Sequence, residues 1–356
     1  MEVIKQELTV MENPFTLTFG KEPASLISRD LEIAGIMEGF RQERPDNQVV
    51  MLTGVRGSGK TVTLTTISNE FRGMKDWIVV ELNPERDMLQ MLAAELSNYP
   101  MLGQFFKDAS INLSFLGFGL NIDGEPPITD ISVALDRMLA ALSKRGKRVL
   151  VTIDEATSTQ RMREFAAQFQ IYLRKNYNVF LLMTGLYENV NELQNEKSLT
   201  FLYRAPKVMM SPLSTIMMAE KYASVFHLNA KEATDMAKAT NGYAYAFQLL
   251  GYLCFRLNRP YTKVMTEYDA ALEQYVYEKI WCELSEIDQA VLGAMAATNE
   301  TKVEKIRDGA NMKSPNFSVY RNRLMKKGLI RQTKYAHLDF TLPRFREFVK
   351  RMTYGL

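Results

Sequence analysis

Cysteine and histidine are scarce in this 356-residue chain, which holds two of each. Cys254 and Cys282 can build neither a disulfide framework nor a zinc site, and they suit a reducing cytosol. His227 and His337 have no metal-ligand company, so no metal centre beyond Mg²⁺ is expected. Long apolar runs are missing as well: the longest are strand-length, well short of the roughly 20 residues of a membrane span. Residues 1–7 carry acids and lack an apolar signal core, so the expectation is a cytoplasmic protein with no membrane contact. Low-complexity tracts and internal repeats are not detectable.

What is present is ordinary in bulk and uneven in detail. The chain is 46% hydrophobic and 24% charged, enough for a real core, and its length allows two or three domains. The formal charge is only +3, but residues 302–351 hold 14 Lys or Arg against 4 Asp or Glu. A basic module on an acidic body suggests a polyanionic partner at one end. A merely solvated basic surface is the alternative.

Four short apolar runs, at 49–52, 77–80, 149–153 and 179–183, are separated by helical material. Near-continuous aliphatic runs of this length read as strands buried on both faces, and their alternation with helices predicts a parallel sheet. An amphipathic helix starting near Arg29-Asp30 is expected to turn Leu31, Ile33, Ile36, Met37 and Phe40 towards a core. Residues 111–122 alternate and are glycine-rich, which fits a hairpin-like insertion. After Ser211-Pro212-Leu213 the strand signals stop, and helices are predicted over 216–226, 230–240, 245–257 and 268–281. From Ser285 the pattern is three helices, the third starting at Ser314-Pro315, then paired strands at 329–333 and 338–342.

The chemistry is concentrated in Gly54-Val55-Arg56-Gly57-Ser58-Gly59-Lys60-Thr61. This matches G-x-x-x-x-G-K-[ST] in full, between a strand-like run and a helix-forming one. Its glycines let consecutive N–H groups face phosphate oxygens, and the helix beginning around Val62 adds its dipole to the same anion site. Lys60 is placed to contact the β- and γ-phosphates of ATP, and Thr61 to hold Mg²⁺ through its hydroxyl. The run 149–153 ends in Asp154-Glu155, where Asp154 is expected to orient the metal and Glu155 to polarise the attacking water. The next strand ends at Thr184, which either reaches the γ-phosphate or its water, or caps the following helix. Arg204 is the candidate for a cation supplied by a neighbouring copy, with Arg161 and Arg163 competing.

This order of motifs resembles the AAA+ superfamily, and more closely its archaeal-type ATPases, with their relatives among origin-recognition initiators and signalling ATPases with numerous domains. The segment Asn13-Pro14-Phe15, Phe19-Gly20, Pro23 and Leu26-Ile27-Ser28-Arg29-Asp30 looks like that family's lead into the nucleotide site. The resemblance implies that residues near Ile27 and Arg29 flank the adenine. It also implies a three-layer P-loop α/β core (1–210), an all-α lid (211–282) and a winged helix-turn-helix domain (283–356). In the lid, Asn241-Gly242-Tyr243-Ala244-Tyr245 departs from the family: Tyr245 replaces the usual proline and no arginine opens the helix.

In the terminal module Phe317, Tyr320, Leu324 and Met325 form the apolar stripe of the third helix. Asn316, Ser318, Arg321, Asn322, Arg323 and Lys326 are left to meet double-stranded DNA, with Arg331, Lys334, Tyr335 and His337 on the wing. Two functions are open at this point. One is an ATPase that couples nucleotide state to DNA binding, with ATP-dependent assembly of copies. The other is a slow ATP-dependent switch whose winged helix docks a protein.

Overall fold

The structure, a computed structural model, describes residues 12–18, 23–99, 102, 106, 111–112, 128–298 and 301–355. The hairpin-like insertion expected at 111–122 lies outside the described residues apart from Ile111 and Asn112. The chain forms two compact units, one of Arg29–Ser211 with Lys326–Gly328, the other of Met1–Ser28, Pro212–Met325 and Leu329–Leu356.

The first unit is built on a parallel sheet of β1 (Val49–Thr53), β2 (Trp77–Leu82), β3 (Arg148–Ile153), β4 (Val179–Gly185) and β5 (Lys207–Met209), in the order β2-β3-β4-β1-β5. Successive side chains point to opposite faces of a strand, so each run feeds two cores. Val49, Met51, Val149, Val151, Leu181 and Met183 pack on one side, against α3 (Met88–Asn98), α4 (Ile131–Lys144) and α5 (Gln160–Arg174). Val50, Leu52, Leu150, Phe180 and Leu182 pack on the other, with α1 (Asp30–Arg41) and α2 (Lys60–Arg72). Both faces are covered, which is why the runs are apolar throughout rather than alternating. On the α1/α2 face Phe71 and Trp77 lie 4.1 Å apart by ring centroids and Trp77 and Phe180 4.9 Å.

Two details of this unit depart from the sequence reading. Leu31 is 89% exposed, because α1 turns only Ile36 and Phe40 fully inward, with Ile33 and Met37 partly buried. The edge strand β5 is only three residues long, Lys207–Met209, and backbone pairing to β1 defines it.

The second unit opens with residues 12–18 and 23–28, whose anchor is Phe15. Its ring stacks on Phe226 at 5.6 Å and meets Tyr222 and Phe247. A Cβ on Gly251 would fall 2.5 Å from that ring, so only glycine admits it there. The Gln248 side chain accepts from the Thr16 amide and the Ser25 hydroxyl.

The helices of this unit are α8 (Thr215–Phe226), α9 (Ala230–Lys238), α10 (Ala244–Leu257), α11 (Met265–Leu272) and α12 (Glu278–Cys282). A π turn, Glu273–Tyr277, joins the last two, where an uninterrupted helix was expected. Then come α13 (Glu286–Ala297), α14 (Val303–Gly309), α15 (Ser314–Lys326), the antiparallel pair β6 (Ile330–Lys334) and β7 (His337–Phe340), and α16 (Phe345–Tyr354). The sequence reading stopped at the two strands and missed α16. Its Phe345, Phe348 and Val349 are buried at helical spacing, a signal that was there to be read.

Side-chain ties join the earlier helices to the end of the chain. Arg344 grips Asp269 at 2.6 Å and Arg351 pairs with Glu273. The Tyr277 hydroxyl donates to the Pro343 carbonyl, and the Asn241 amide donates to the Thr341 carbonyl at 2.7 Å.

Candidate functional site

β1, β3 and β4 end side by side, and the residues singled out by their spacing stand at those ends. β1 runs out at Thr53 and α2 begins at Lys60, so residues 54–59 form the turn between them. Gly57 and Gly59 have φ of +69° and +94°. That left-handed backbone is strained for any residue with a Cβ, so the turn requires glycine at both places. Lys60 folds back over the turn, its ammonium donating to the Gly54 and Val55 carbonyls at 3.0 and 2.9 Å. Burial pushes its pKa down to about 8, against the opposing pull of Asp154.

The β3–β4 register sets Ile153 opposite Met183, which brings Asp154 beside Thr184. The Thr184 hydroxyl donates to one Asp154 carboxylate oxygen, and the Thr61 hydroxyl donates to the other at 2.9 Å. The Glu155 amide donates to both Asp154 and Thr184, at 3.1 Å each, with Glu155 at φ +54°. This pins a strained turn directly after β3 and leaves the Glu155 side chain exposed. Thr184 does not cap the following helix: α6 (Tyr187–Gln194) has Leu186 at its N-cap and no side-chain cap bond. Thr184 instead fixes the carboxylate of Asp154.

Arg56 and Val62 are partly exposed on the loop and on α2, while Ser58 is buried. Ile27 is buried in the second unit and Arg29 in the first. Arg29, expected by resemblance to flank the adenine, has its guanidinium bonded within the sheet unit. It donates to the Ser58 carbonyl at 2.8 Å and to the Ser211 carbonyl. No local pattern signals that link, since Ser211 lies 182 positions away.

Of the three arginines weighed as the outside cation, Arg161 is bonded to the Glu85 carbonyl. Arg163 is held by the Ser158 carbonyl at 2.7 Å and by Glu196 at 3.4 Å. Arg204 ends α7 (Thr200–Arg204), is exposed, and makes no hydrogen bond or ion pair among the described residues.

In the C-terminal module Asn316, Asn322, Lys326 and Lys334 are exposed, while Ser318 and Arg321 are partly exposed. Ser318 returns its hydroxyl to the Ser314 carbonyl, and the Arg321 guanidinium touches Asn322 at 3.4 Å. Two more of the expected DNA contacts also have partners within the second unit. Arg323 pairs with buried Asp288 at 2.7 Å and donates to Ser285 at 2.8 Å, and Arg331 donates to Asn241 at 3.1 Å. Asp269, Glu273 and Asp288 thus neutralise three of the basic residues counted in 302–351. At the β6–β7 tip Tyr335 is 92% exposed, and His337 shares a hydrogen bond of 2.7 Å with Thr301.

Comparison with known proteins bears on the fold. A Walker-type ATPase of Pyrococcus abyssi matches over 91% of this chain and 96% of its own, with TM-score 0.64 and 17% identity. The ORC2 protein of Aeropyrum pernix, solved as ADPNP–ADP complexes, matches over 94% and 96%, with TM-score 0.58 and 14% identity. This chain shares the fold of these two archaeal proteins. Residues 274–349 match a family model described as a domain of unknown function (DUF8462). No match is found among curated proteins. No helix among the described residues is long and apolar enough to cross a membrane.

Proposed function

We propose that this chain binds ATP on the loop 54–61, hydrolyses it, and couples the nucleotide state to double-stranded DNA through a C-terminal winged helix. The observation that carries the reading is the meeting of Lys60 and Thr61, at the start of α2, with Asp154, Glu155 and Thr184 at the ends of β3 and β4. Ligands of open α/β sheets sit at such carboxyl ends. The loop amides and the start of α2 supply an anion cradle, and the Lys60 ammonium adds the charge that a triphosphate needs.

Thr61 and Asp154 already share a hydroxyl–carboxylate contact, an all-oxygen donor pair that suits Mg²⁺. Those two residues would hold the ion, whose chemistry is to neutralise charge on the β- and γ-phosphates. Glu155 takes a proton from the attacking water, its backbone fixed by Asp154 and Thr184 so that the side chain alone is free to move. Arg204, exposed and uncommitted, supports a cation donated to a second copy, and with it an ATP-dependent homo-oligomer. We retain the division of labour into core (1–210), lid (211–282) and terminal module (283–356), and a cytoplasmic setting.

The DNA reading rests on α15 and the β6–β7 tip, with Asn316, Ser318, Arg321, Asn322, Lys326 and Lys334 as the contacts. The second reading, a protein-docking switch, is favoured by a different observation. The module loses part of its positive excess to Asp269, Glu273 and Asp288, and it exposes Val319 and Tyr335. Duplex titration across salt separates them. DNA binding predicts an affinity that falls steeply and linearly on a log–log plot, while docking predicts no salt-dependent duplex binding. ATP hydrolysis itself is tested by phosphate release from the purified chain and its Glu155→Gln variant.

A further inference from the structure

The backbone passes between the two units at four places, and two of these are the junctions Ser28–Arg29 and Ser211–Pro212. One buried side chain holds both. Arg29 is 8% exposed; it donates one guanidinium nitrogen to the Ser211 carbonyl and the other to the Ser58 carbonyl at 2.8 Å. Glu32, one turn further along α1, stands 3.8 Å from the same guanidinium and accepts from the Ser211 hydroxyl. Burial lowers the Arg29 pKa and Glu32 opposes that shift, while an arginine stays charged at any physiological pH.

The Ser58 carbonyl is not an arbitrary acceptor. It belongs to the peptide that enters Gly59, the residue at φ +94° just before α2. A peptide unit is planar and trans, so its C=O and N–H point in opposite directions. Holding the Ser58 oxygen on Arg29 therefore aims the Gly59 amide the other way. The Ser58 amide donates to the Val55 carbonyl at 3.3 Å within the turn, while its hydroxyl is buried without a hydrogen-bond partner.

We propose that Arg29 is a positioning residue for the phosphate loop and, through Ser211, a link between loop occupancy and the segments that leave the sheet unit. The inference rests on the nucleotide-binding reading above. A phosphate drawn onto the Gly59 amide tightens the Ser58 carbonyl on Arg29, and the same guanidinium then orders Ser211. Release of the anion frees both.

The test measures fluorescent ATP-analogue binding and turnover for the wild type, Arg29→Ala, Arg29→Lys and Lys60→Ala, with amide exchange followed over residues 207–214. Wild type is expected to bind nucleotide and to gain protection at 207–214 on binding. Arg29→Ala should raise KM for ATP by about tenfold or more, the loss of charge-assisted bonds to a loop carbonyl, with a smaller change in kcat. It should also abolish the nucleotide-linked protection. Arg29→Lys, which keeps the charge but has no fork to bridge two carbonyls, should fall between them and stands in if Arg29→Ala does not fold. Wild-type KM and retained protection in a folded Arg29 variant would overturn the inference. If the wild type binds no nucleotide, or Lys60→Ala binds as well as wild type, the nucleotide reading itself fails and not merely this link.

Discussion

The Thr184 hydroxyl and the Asp154 carboxylate are joined by a hydrogen bond across β4 and β3, and Asp154 takes the Thr61 hydroxyl on its other oxygen. Three strand or helix ends thereby share one acid. Replacing Thr184 by valine keeps the shape and deletes the donor. We expect that change to cost about 1.5–3 kcal/mol of stability, the range for a hydrogen bond to a charged group. It should also lower kcat by about tenfold or more through misplacement of Asp154. Thermal unfolding and phosphate release measured on one preparation check both.

Glu155→Gln removes the base and leaves the backbone bonds of residue 155 in place. ATP affinity should stay within a few-fold of wild type while turnover drops by roughly 10²–10⁴, the usual contribution of a positioned base. Surviving turnover would assign the base elsewhere.

Lys60 ties nucleotide affinity to pH. With its pKa pushed down to about 8, the ammonium is present below that pH and is lost as pH rises through it. Affinity for ATP should therefore fall between roughly pH 7 and 9, within about a unit of that pKa. The same shift runs the other way for stability. The native state binds fewer protons than the unfolded chain between about 8 and 10.5, so this group's contribution rises with pH there. Binding titrations at fixed ionic strength give the first curve, and Lys60→Ala should flatten it.

How much of this was legible beforehand depends on distance along the chain. The loop 54–61 and the Asp154-Glu155 pair declare themselves because each is a local string beside a strand. The four long strands were legible for the same reason: burial on both faces leaves an uninterrupted aliphatic run. β5 was not, because three residues at an edge are defined by pairing with β1 and not by their own side chains. The internal partners of Arg29, Arg323 and Arg331 were not legible because Ser211, Asp288 and Asn241 are remote in sequence. A basic residue looks available until its acceptor is found.

Arg204 is expected to act across a contact between copies. Arg204→Ala should bind ATP normally and lose about 10³-fold or more in kcat, the scale of an arginine acting on phosphoryl transfer. Mixing it with Glu155→Gln should restore part of the activity, because each lacks what the other supplies. Activity that does not recover on mixing argues against a shared site, and sizing with and without ATP shows whether copies assemble.

Arg321 and Arg323 should separate cleanly although they lie two residues apart. Arg321→Ala should weaken duplex binding and reduce the log–log salt slope by about one unit, with little change in melting. Arg323→Ala leaves the Asp288 carboxylate, 1% exposed, without its ion pair, and should cost about 1–3 kcal/mol. Calorimetry and anisotropy on the two variants decide whether the helix face is assigned correctly.

Phe15 and the ring pocket around Gly251 impose an order on synthesis. Thr16 and its acceptor Gln248 are 232 positions apart, which at ribosomal speeds is roughly 10–50 s of waiting. All of Arg29–Ser211, the bulk of the sheet unit, emerges in that interval and can collapse first. The segment around Phe15 is thus made before the sheet unit and docked after it, and until then an exposed aromatic hook waits for its pocket. A chain stopped before residue 251 carries that hook with no pocket to receive it, a natural handle for a chaperone.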